Sequence, residues 1–385
     1  MAAMEALADK IPVEHERLVV GLSGGVDSSV AAARLAAAGH DVQGIFMRNW
    51  EPAPGEPCPA EQDYADARAV ARALELPLSA VDFIADYRER VFARFLAEYE
   101  AGRTPNPDIL CNTEIKFGTF LEHARARGAE AVATGHYARR RHRDGHWQLL
   151  RAVDANKDQT YFLHGLDQDQ LAAARFPLGE LTKDEVRAEA ERLGLSTAHK
   201  RDSTGICFIG EQDFRAFLSR YLATEPGPMV TPEGDRVGEH QGLAFYTLGQ
   251  RQGLGLGGVR GYPDRPWFVV GKAPGENALI VAQGGDHPWL MSRELIASGL
   301  HWIAGEPPEL PRHCTVRTRY RQPDRPATID ANGDRLTVHF DEPERAVTPG
   351  QAVVLYDGEV CLGGATIDTT DAPGIAVGAP SGANA

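Results

Sequence analysis

Gly21-Leu22-Ser23-Gly24-Gly25-Val26-Asp27-Ser28-Ser29 joins an apolar run typical of a buried strand, Leu18-Val19-Val20, to an alanine-rich helical stretch, residues 30–38. The two adjacent glycines let the backbone approach an anion closely, because neither has a Cβ atom. Serine hydroxyls add donors, and the N–H groups and dipole of the following helix complete a phosphate site. The alternative is a ligand-free strand-to-helix turn, which needs no such combination of glycines and hydroxyls. The sequence therefore predicts a phosphate-binding loop over residues 21–28.

The loop also excludes some classes of nucleotide-binding protein. It lacks the Gly-Lys-Ser/Thr ending and the spacing of a Walker A motif. This argues against the common kinase and GTPase types of phosphate site.

Composition indicates a globular protein of two or three domains, with 385 residues, 43% of them hydrophobic. No apolar run reaches membrane-spanning length, and residues 1–16 do not resemble a secretory signal, so we expect a cytoplasmic protein without membrane partners. Five cysteines, none in a Cys-x-x-Cys pair, favour reduced thiols over a disulfide scaffold, a zinc ribbon or an iron–sulfur site.

The net charge of -14 argues against indiscriminate binding to nucleic acid, which depends on bases that neutralise phosphates. Two local basic segments, residues 139–143 and 317–321, still allow local binding. The alternative for each is a solvated edge strand or hairpin, because arginine also protects sheet edges. Charge alone leaves both interpretations open.

The first half of the chain alternates strand-like and helix-like stretches, which predicts a doubly wound α/β domain with a parallel sheet. Gly135-His136 follows one predicted strand as the glycine loop follows another, so both should lie at the carboxyl edge, where such sheets bind ligands. The predicted strands cover residues 42–47, 78–83 and 131–134, and the predicted helices cover 64–74, 87–99 and 115–127.

From about residue 213 glycine and proline become frequent and the apolar runs shorten, which predicts antiparallel β structure. The predicted strands are 267–270, 279–282, 316–320, 336–340 and 352–356, with hairpin turns at 274–277 and 331–334. We predict an N-terminal extension (1–16), a catalytic α/β domain (17–213), a small central domain (214–284), a β-barrel-like domain (285–369) and a disordered tail (370–385).

Two cysteines lie in contexts that favour reactivity. Cys111 follows a loop stiffened by Pro105 and Pro107, just before the helix predicted at residue 115, and a helix N-terminus favours the thiolate. Cys207 lies downstream of two basic residues in Lys200-Arg201-Asp202-Ser203-Thr204-Gly205-Ile206-Cys207. The alternative, a buried inert thiol, remains equally open for both from spacing alone. For Cys58, Cys314 and Cys361 the inert interpretation is favoured.

Several motifs together resemble the bacterial tRNA-specific 2-thiouridylases, a family of PP-loop ATP pyrophosphatases, from about residue 17 to 368. An extra N-terminal segment, the arginine-rich stretch 139–143 and the tail depart from the family pattern. The motifs are the glycine loop and residues 46–50, 102–117, 133–137, 156–163, 202–211, 238–242, 247–251 and 348–351.

The resemblance implies an ATP-dependent sulfurtransferase that adenylates the C2 oxygen of the wobble uridine (position 34) of tRNA and replaces it with sulfur. Magnesium would neutralise the expelled pyrophosphate, with Asp27 as a candidate ligand. Met47 and Gly135 correspond to adenosine contacts. The implied ATP-binding residues are Gly21, Leu22, Ser23, Gly24, Gly25, Val26, Asp27, Ser28, Met47 and Gly135.

The resemblance also implies that Cys207 carries a persulfide, loaded by a sulfur-relay protein or a cysteine desulfurase, and that Cys111 is the nucleophile that resolves it as a disulfide. Asp108 is the implied proton-transfer residue, the alternative being a carboxylate that caps the next helix. The target-base residues would be Asn106, Pro107 and Asp108, and the tRNA contacts His136, Lys157, Asp158, Gln159, Arg319, Tyr320 and Gln351.

Two other functions remain as alternatives. One is a different PP-loop pyrophosphatase, such as an amidating synthetase, which makes no use of two reactive cysteines. The other is a noncatalytic tRNA-binding sulfur shuttle with a vestigial nucleotide loop, and the intact Ser-Gly-Gly-Val-Asp-Ser argues against it.

Overall fold

The glycine loop lies on a five-stranded sheet whose strands are all parallel, as predicted for the first half of the chain. We describe residues 15–52, 59–202, 214–222 and 224–376 of a computed structural model. The strands run in the order β3-β2-β1-β4-β7, so the strand order reverses at β1. The first seven strands are β1 (Arg17–Gly21), β2 (Asp41–Arg48), β3 (Leu78–Asp82), β4 (Ala131–Ala133), β5 (Arg139–Arg143), β6 (His146–Leu150) and β7 (Ala174–Arg175).

Helices cover both faces of this sheet. Alternate side chains of β1 enter two separate cores, Val19 on one side and Leu18 and Val20 on the other. The helices are α1 (Val26–Ala37), α2 (Pro59–Ala73), α3 (Ile84–Tyr87, Arg88–Phe92 and Ala93–Glu100), α4 (Pro107–Leu110, Cys111–Thr119 and Phe120–Ala126), α5 (Thr160–Leu163), α6 (Gln168–Ala173), α7 (Lys183–Arg192), α8 (Phe214–Leu218) and α9 (Pro373–Ala376).

The prediction of a helix starting at residue 115 was wrong at its beginning. Helix α4 starts at Pro107 and passes through a π-helical segment, Cys111–Thr119, before it becomes regular again. Asn106 is the N-cap, its Oδ1 accepting from the Asp108 N–H at 3.2 Å, and proline is well tolerated at the first helical position. The two prolines therefore lead into the helix instead of holding a loop ahead of it.

The small central domain contains a four-stranded sheet in the order β10-β11-β8-β9. The turn predicted at residues 274–277 is present, and Asn277 adopts the left-handed conformation, φ 48°, that such a turn requires. Its strands are β8 (Gly227–Val230), β9 (Arg236–His240), β10 (Trp267–Ala273) and β11 (Ala278–Gln283).

Six antiparallel strands form a closed barrel, because β12 pairs with both β15 and β17. The strand predicted at 316–320 was displaced: it ends at Arg317, so residues 318–320 belong to the turn that follows. The barrel strands are β12 (Met291–Trp302), β13 (Arg312–Arg317), β14 (Arg325–Asn332), β15 (Arg335–Arg345), β16 (Ala352–Asp357) and β17 (Val360–Thr370).

The arginine-rich stretch 139–143 is an edge strand, β5, as its alternative interpretation proposed. It forms a hairpin with β6, and β6 pairs with β17, so this part of the first domain extends the sheet of the barrel. Arg139 and Arg141 both form ion pairs with Glu359, at 2.9 and 3.0 Å. These ion pairs therefore cross from the first domain to the barrel, beside the pairing of β6 with β17.

The predicted disordered tail differs from the structure in its first part. Thr370 ends β17, and α9 packs on β10 so closely that a Cβ atom at Gly374 would lie 1.8 Å from the Val270 carbonyl oxygen. Residues 377–385 lie outside the described residues, as do Cys58 and Cys207. Among the described helices, none is long and apolar enough to cross a membrane.

Candidate active site

The glycine loop turns from β1 into α1 at the carboxyl edge of the sheet. Gly24 has φ +75°, and a Cβ atom there would lie 2.2 Å from the Asp63 carbonyl oxygen, so only glycine fits. The N-cap of α1 is Gly25, which has no side chain to satisfy the first N–H groups of the helix. The loop thus presents free backbone donors at the positive end of a 12-residue helix.

The three serine hydroxyls of the loop differ in their contacts. Ser28 and Ser29 both donate to the Gly25 carbonyl oxygen, at 3.1 and 2.7 Å. Ser29 is fully buried and also accepts from Thr197. Only Ser23 is exposed, with its hydroxyl 3.1 Å from that of Ser28. Ser23 is thus the serine hydroxyl most accessible to a ligand, Ser28 and Ser29 hold the backbone of the loop, and ATP binding by Ser28 stays a prediction.

The two predicted adenosine contacts flank this loop. Gly135 follows β4, beside β1, and a Cβ atom there would lie 2.7 Å from the Ser28 nitrogen. Met47 lies near the end of β2, with its Cε 3.2 Å from the Cβ position of Gly21. Both therefore sit at the reversal of strand order, where doubly wound sheets bind ligands.

Asp27, in the first turn of α1, is paired with a cation. Both of its carboxylate oxygens accept from the Lys183 ammonium, at 2.7 and 2.8 Å, and Oδ1 also accepts from the Tyr137 hydroxyl at 2.9 Å. Mg²⁺ prefers anionic oxygens that are free to coordinate it. Asp27 in this arrangement does not fit a magnesium ligand, and no described group of three or more acidic, histidine or cysteine side chains is arranged to hold a metal.

Lys183 also contacts Asp202, the last described residue before the stretch that contains Cys207. Asp202 further accepts from Lys157 at 2.8 Å and Arg187 at 2.9 Å. Burial opposes its ionisation, but the hydrogen bonds from Lys157 and Lys183 outweigh it and lower the pKa of Asp202 to about 2. The glycine loop is thereby linked to the chain leading to Cys207.

Sequence reasoning missed Lys183, although a local signal exists. Thr182 and Glu185 form a capping box, so Lys183 is the first residue of α7. A cation in the first turn opposes the helix dipole and is unfavourable unless something compensates it. A lysine at this position, in a helix that starts near the carboxyl edge of a parallel sheet, was therefore a candidate for a functional charge.

Cys111 lies in the second turn of α4 and has no solvent-exposed surface. The electrostatic effect of a helix N-terminus falls off within the first turn, so it favours the thiolate less than a position before the helix would. Asp108 lies in the first turn and is partly exposed. Since Asn106 caps the helix, the alternative role of Asp108 as the cap was wrong.

The segment before α4 is fastened to the barrel. The Gln351 side chain donates to the Thr104 carbonyl oxygen at 2.7 Å, and the Thr104 N–H donates to the Pro349 carbonyl oxygen at 3.0 Å. The Tyr320 ring packs on Phe162, with centroids 4.3 Å apart. The structure thus brings Gln351 to the segment just before the predicted target-base residues, and Tyr320 to Phe162, whose carbonyl oxygen accepts from Asn112 of α4 at 3.4 Å.

Other predicted tRNA contacts are engaged within the protein. Asp158 is 3% exposed and accepts from the Thr160 hydroxyl, Gln159 accepts from the Tyr137 N–H, and Arg319 donates to the Thr348 hydroxyl. Burial lowers the pKa of His136 well below its usual value, which favours the neutral ring. Their contacts with tRNA stay predictions.

The fold and site define a PP-loop nucleotide-binding domain followed by two β-barrel-type domains. Three family models match in this order: a tRNA methyl transferase HUP domain over residues 16–211, a tRNA methyl transferase PRC-barrel domain over 215–283, and an aminomethyltransferase beta-barrel domain over 292–367.

The chain is 57% identical to the tRNA-specific 2-thiouridylase MnmA of Burkholderia thailandensis over 360 residues, 91% of this chain and 93% of that one. It is also 57% identical to MnmA of Burkholderia multivorans, covering 94% and 96%. It belongs to the MnmA family of tRNA-specific 2-thiouridylases. Among solved structures, NMN synthetase from Francisella tularensis matches with a TM-score of 0.33 and 18% identity, over 52% of this chain and 73% of that one.

Proposed function

We propose that this tRNA sulfurtransferase works by adenylation followed by persulfide transfer at the wobble uridine, position 34. A carbonyl oxygen is a poor leaving group. Attack of the C2 oxygen on the α-phosphorus of ATP forms a P–O bond and expels pyrophosphate, after which AMP can leave from carbon. The uncapped start of α1 supports this step, because its N–H groups can stabilise charge on the departing phosphates.

The sulfur would come from a persulfide on Cys207, supplied by a sulfur-relay protein or a cysteine desulfurase. Its terminal sulfur attacks C2 and displaces AMP, which leaves a Cys207–S–S–C2 linkage. The Cys111 thiolate then attacks the Cys207 sulfur, breaks the S–S bond and leaves sulfur on the base, with a Cys111–Cys207 disulfide. A dithiol reductant must supply two electrons before the next turnover.

The juxtaposition of the α4 start with Phe162, Tyr320 and Gln351 is the observation that carries this proposal. There, α4 and Phe162 of the first domain meet Tyr320 and Gln351 of the barrel. The Asn112 amide donates to the carbonyl oxygens of both Asp108 and Phe162, at 2.9 and 3.4 Å, so the Phe162–Tyr320 ring pair lies near the start of α4.

Partly exposed rings such as those of Phe162 and Tyr320 suit an unstacked base from a single-stranded anticodon loop. Asp108 would accept or return a proton at that base. Because Cys111 is buried, its reaction requires the first turns of α4 to open.

Mass spectrometry of tRNA nucleosides after incubation with enzyme, ATP, Mg²⁺ and a persulfide donor tests the proposal. Cys111→Ser and Cys207→Ser should each abolish 2-thiouridine while one equivalent of pyrophosphate is still released. Cys314→Ser is the matched control, since burial in the barrel raises the pKa of that thiol to about 11. Full thiolation by either of the first two variants would reject the two-cysteine chemistry.

A further inference from the structure

The Lys183 ammonium is shared between two carboxylates from distant parts of the chain. It lies 2.7 Å from the nearest oxygen of Asp27, beside the glycine loop, and 2.8 Å from Asp202. Its side chain is 10% exposed. A nearly buried lysine side chain thus stands next to the free N–H groups of α1, where a phosphate is expected.

The local structure fixes this ammonium in place. The capping box holds the first turn of α7, and the Lys183 N–H donates to the Asp154 carboxylate at 3.0 Å. The stem is buried, so few other rotamers are available to it. Its charge opposes the dipole of α7, which Asp184 and Glu185 of the same turn favour, and the two carboxylates at its tip hold the ammonium.

Both carboxylates keep a donor if Lys183 turns to another anion. Asp27 retains the Tyr137 hydroxyl, and Asp202 retains Lys157 and Arg187. An exchange of partners would therefore leave neither of these partly buried carboxylates without a donor, the situation that makes broken pairs costly. The Lys183 ammonium can therefore turn away from both carboxylates while each of them keeps another donor.

Lys200, the other lysine beside the loop, differs in this respect. Its ammonium donates to the Gly24 carbonyl oxygen and to Asp63 and Asp66 of α2. Among the described contacts, Asp63 has no second cation, so moving Lys200 would leave that carboxylate unpaired. The geometry therefore favours Lys183 as the cation that meets an incoming phosphate.

We propose that Lys183 is a catalytic residue of the adenylation step. During that step its ammonium leaves Asp27 and Asp202 and binds the departing pyrophosphate of ATP. The inference rests on the proposed function and adds to it the cation that stabilises the leaving group. Its charge counts most as the bond to the α-phosphorus breaks and charge accumulates on the pyrophosphate. The effect should therefore be larger on turnover than on ATP affinity.

Lys183→Met removes the charge and keeps the length of the side chain. Arg34→Met is the matched control, because the Arg34–Glu189 ion pair, 2.9 Å long and similarly buried, joins the same two helices, α1 and α7, away from the loop. The assay is pyrophosphate release by the full chain with ATP, Mg²⁺ and unmodified tRNA, without a sulfur donor. Inhibition by inorganic pyrophosphate and by AMP is measured beside it.

We expect Lys183→Met to lower the turnover number for pyrophosphate release about 100-fold, the scale seen when one charge-stabilising donor is removed. The inhibition constant of pyrophosphate should rise about tenfold and that of AMP should stay within about twofold, because the charge acts at the phosphate end. Arg34→Met should change none of these constants by more than about threefold. If Lys183→Met does not fold, Lys183→Gln carries the same expectation.

Equal effects of Lys183→Met and Arg34→Met on turnover would overturn the inference, since Lys183 would then only tie the helices together. Equal weakening of AMP and pyrophosphate would overturn it as well. No pyrophosphate release by the unaltered enzyme would instead reject the adenylation mechanism itself, which distinguishes failure of the proposed function from failure of the role of Lys183.

Discussion

The side-chain amide of Gln351, in the barrel, donates a hydrogen bond to the backbone carbonyl of Thr104, two residues before the N-cap of α4. The bond joins two residues separated by 247 positions. Together with the Thr104 N–H bond to the Pro349 carbonyl oxygen, it fastens the barrel to the segment before the helix that carries Asp108 and Cys111. Loss of this one bond should therefore affect substrate handling more than folding.

We expect Gln351→Ala to lower kcat/KM for tRNA about fivefold, the equivalent of ~1 kcal/mol for one hydrogen bond. Titration of tRNA in the thiolation assay measures it. Gln283→Ala is the control, because the Gln283 amide also donates to a backbone carbonyl, of Pro263, at 2.7 Å, but within the central domain. Equal losses in the two variants would contradict a specific role for Gln351.

Gly24→Ala should abolish ATP-dependent pyrophosphate release. The added Cβ would collide with the Asp63 carbonyl oxygen, and the left-handed backbone itself costs ~1–2 kcal/mol with a side chain. Gly194→Ala shares the left-handed backbone, φ +65°, but its Cβ would meet nothing within 4 Å. It should keep activity with a small loss of thermal stability, and comparable activity in both variants would be evidence against the loop as the phosphate site.

Asp158→Asn should reduce the free energy of unfolding by about 3 kcal/mol, as expected when one partner of a buried ion pair is neutralised. Asp158 pairs with Arg151 of the first domain at 3.4 Å and with Arg317 of the barrel at 3.8 Å. Asp169→Asn, in the exposed pair with Arg125, should cost less than about 1 kcal/mol. Urea unfolding measures both; weaker tRNA binding with unchanged unfolding would favour the predicted tRNA contact instead.

Lys272 should make the free energy of unfolding depend on pH. Its ammonium is 3.4 Å from the Gly102 carbonyl oxygen, and burial lowers the pKa of Lys272 to about 8. Between pH 8 and 10.5 the unfolded chain therefore binds more protons than the folded protein, so stability from this group rises with pH. Relative to Lys272→Met, the unaltered protein should gain ~2 kcal/mol over this range in urea unfolding. The same pH dependence of the free energy of unfolding in the unaltered protein and in Lys272→Met would refute this prediction.

The sequence predicted many of the strands and helices, but not all of their first and last residues. The alternation of apolar runs with helical stretches predicted β2, β3 and β4 to within a few residues of their observed ends. A strand that is buried in a sheet can be recognised from a short run of apolar residues. The start of α4 was missed because Pro105 and Pro107 were interpreted as loop residues. Asn106 as N-cap with Pro107 after it is a start signal that the sequence contains.

Much of the candidate site was not predictable from local pattern. Lys183 and Asp27 are 156 positions apart, and nothing near either residue predicts their contact. The pairing of β6 with β17 likewise makes a hairpin of the first domain part of the barrel sheet. Such contacts depend on how the helices pack and on which strands pair, which are properties of the whole chain.

The sequence by itself determined the glycine loop, the parallel sheet beneath it and the barrel strands, because backbone freedom and alternating burial are properties of neighbouring residues. Only the tertiary structure decided that Lys183 stands between Asp27 and Asp202, that Cys111 is buried in a helix, and that Gln351 holds the segment before it. These arrangements join residues far apart in sequence, so their energies depend on packing that no short segment specifies.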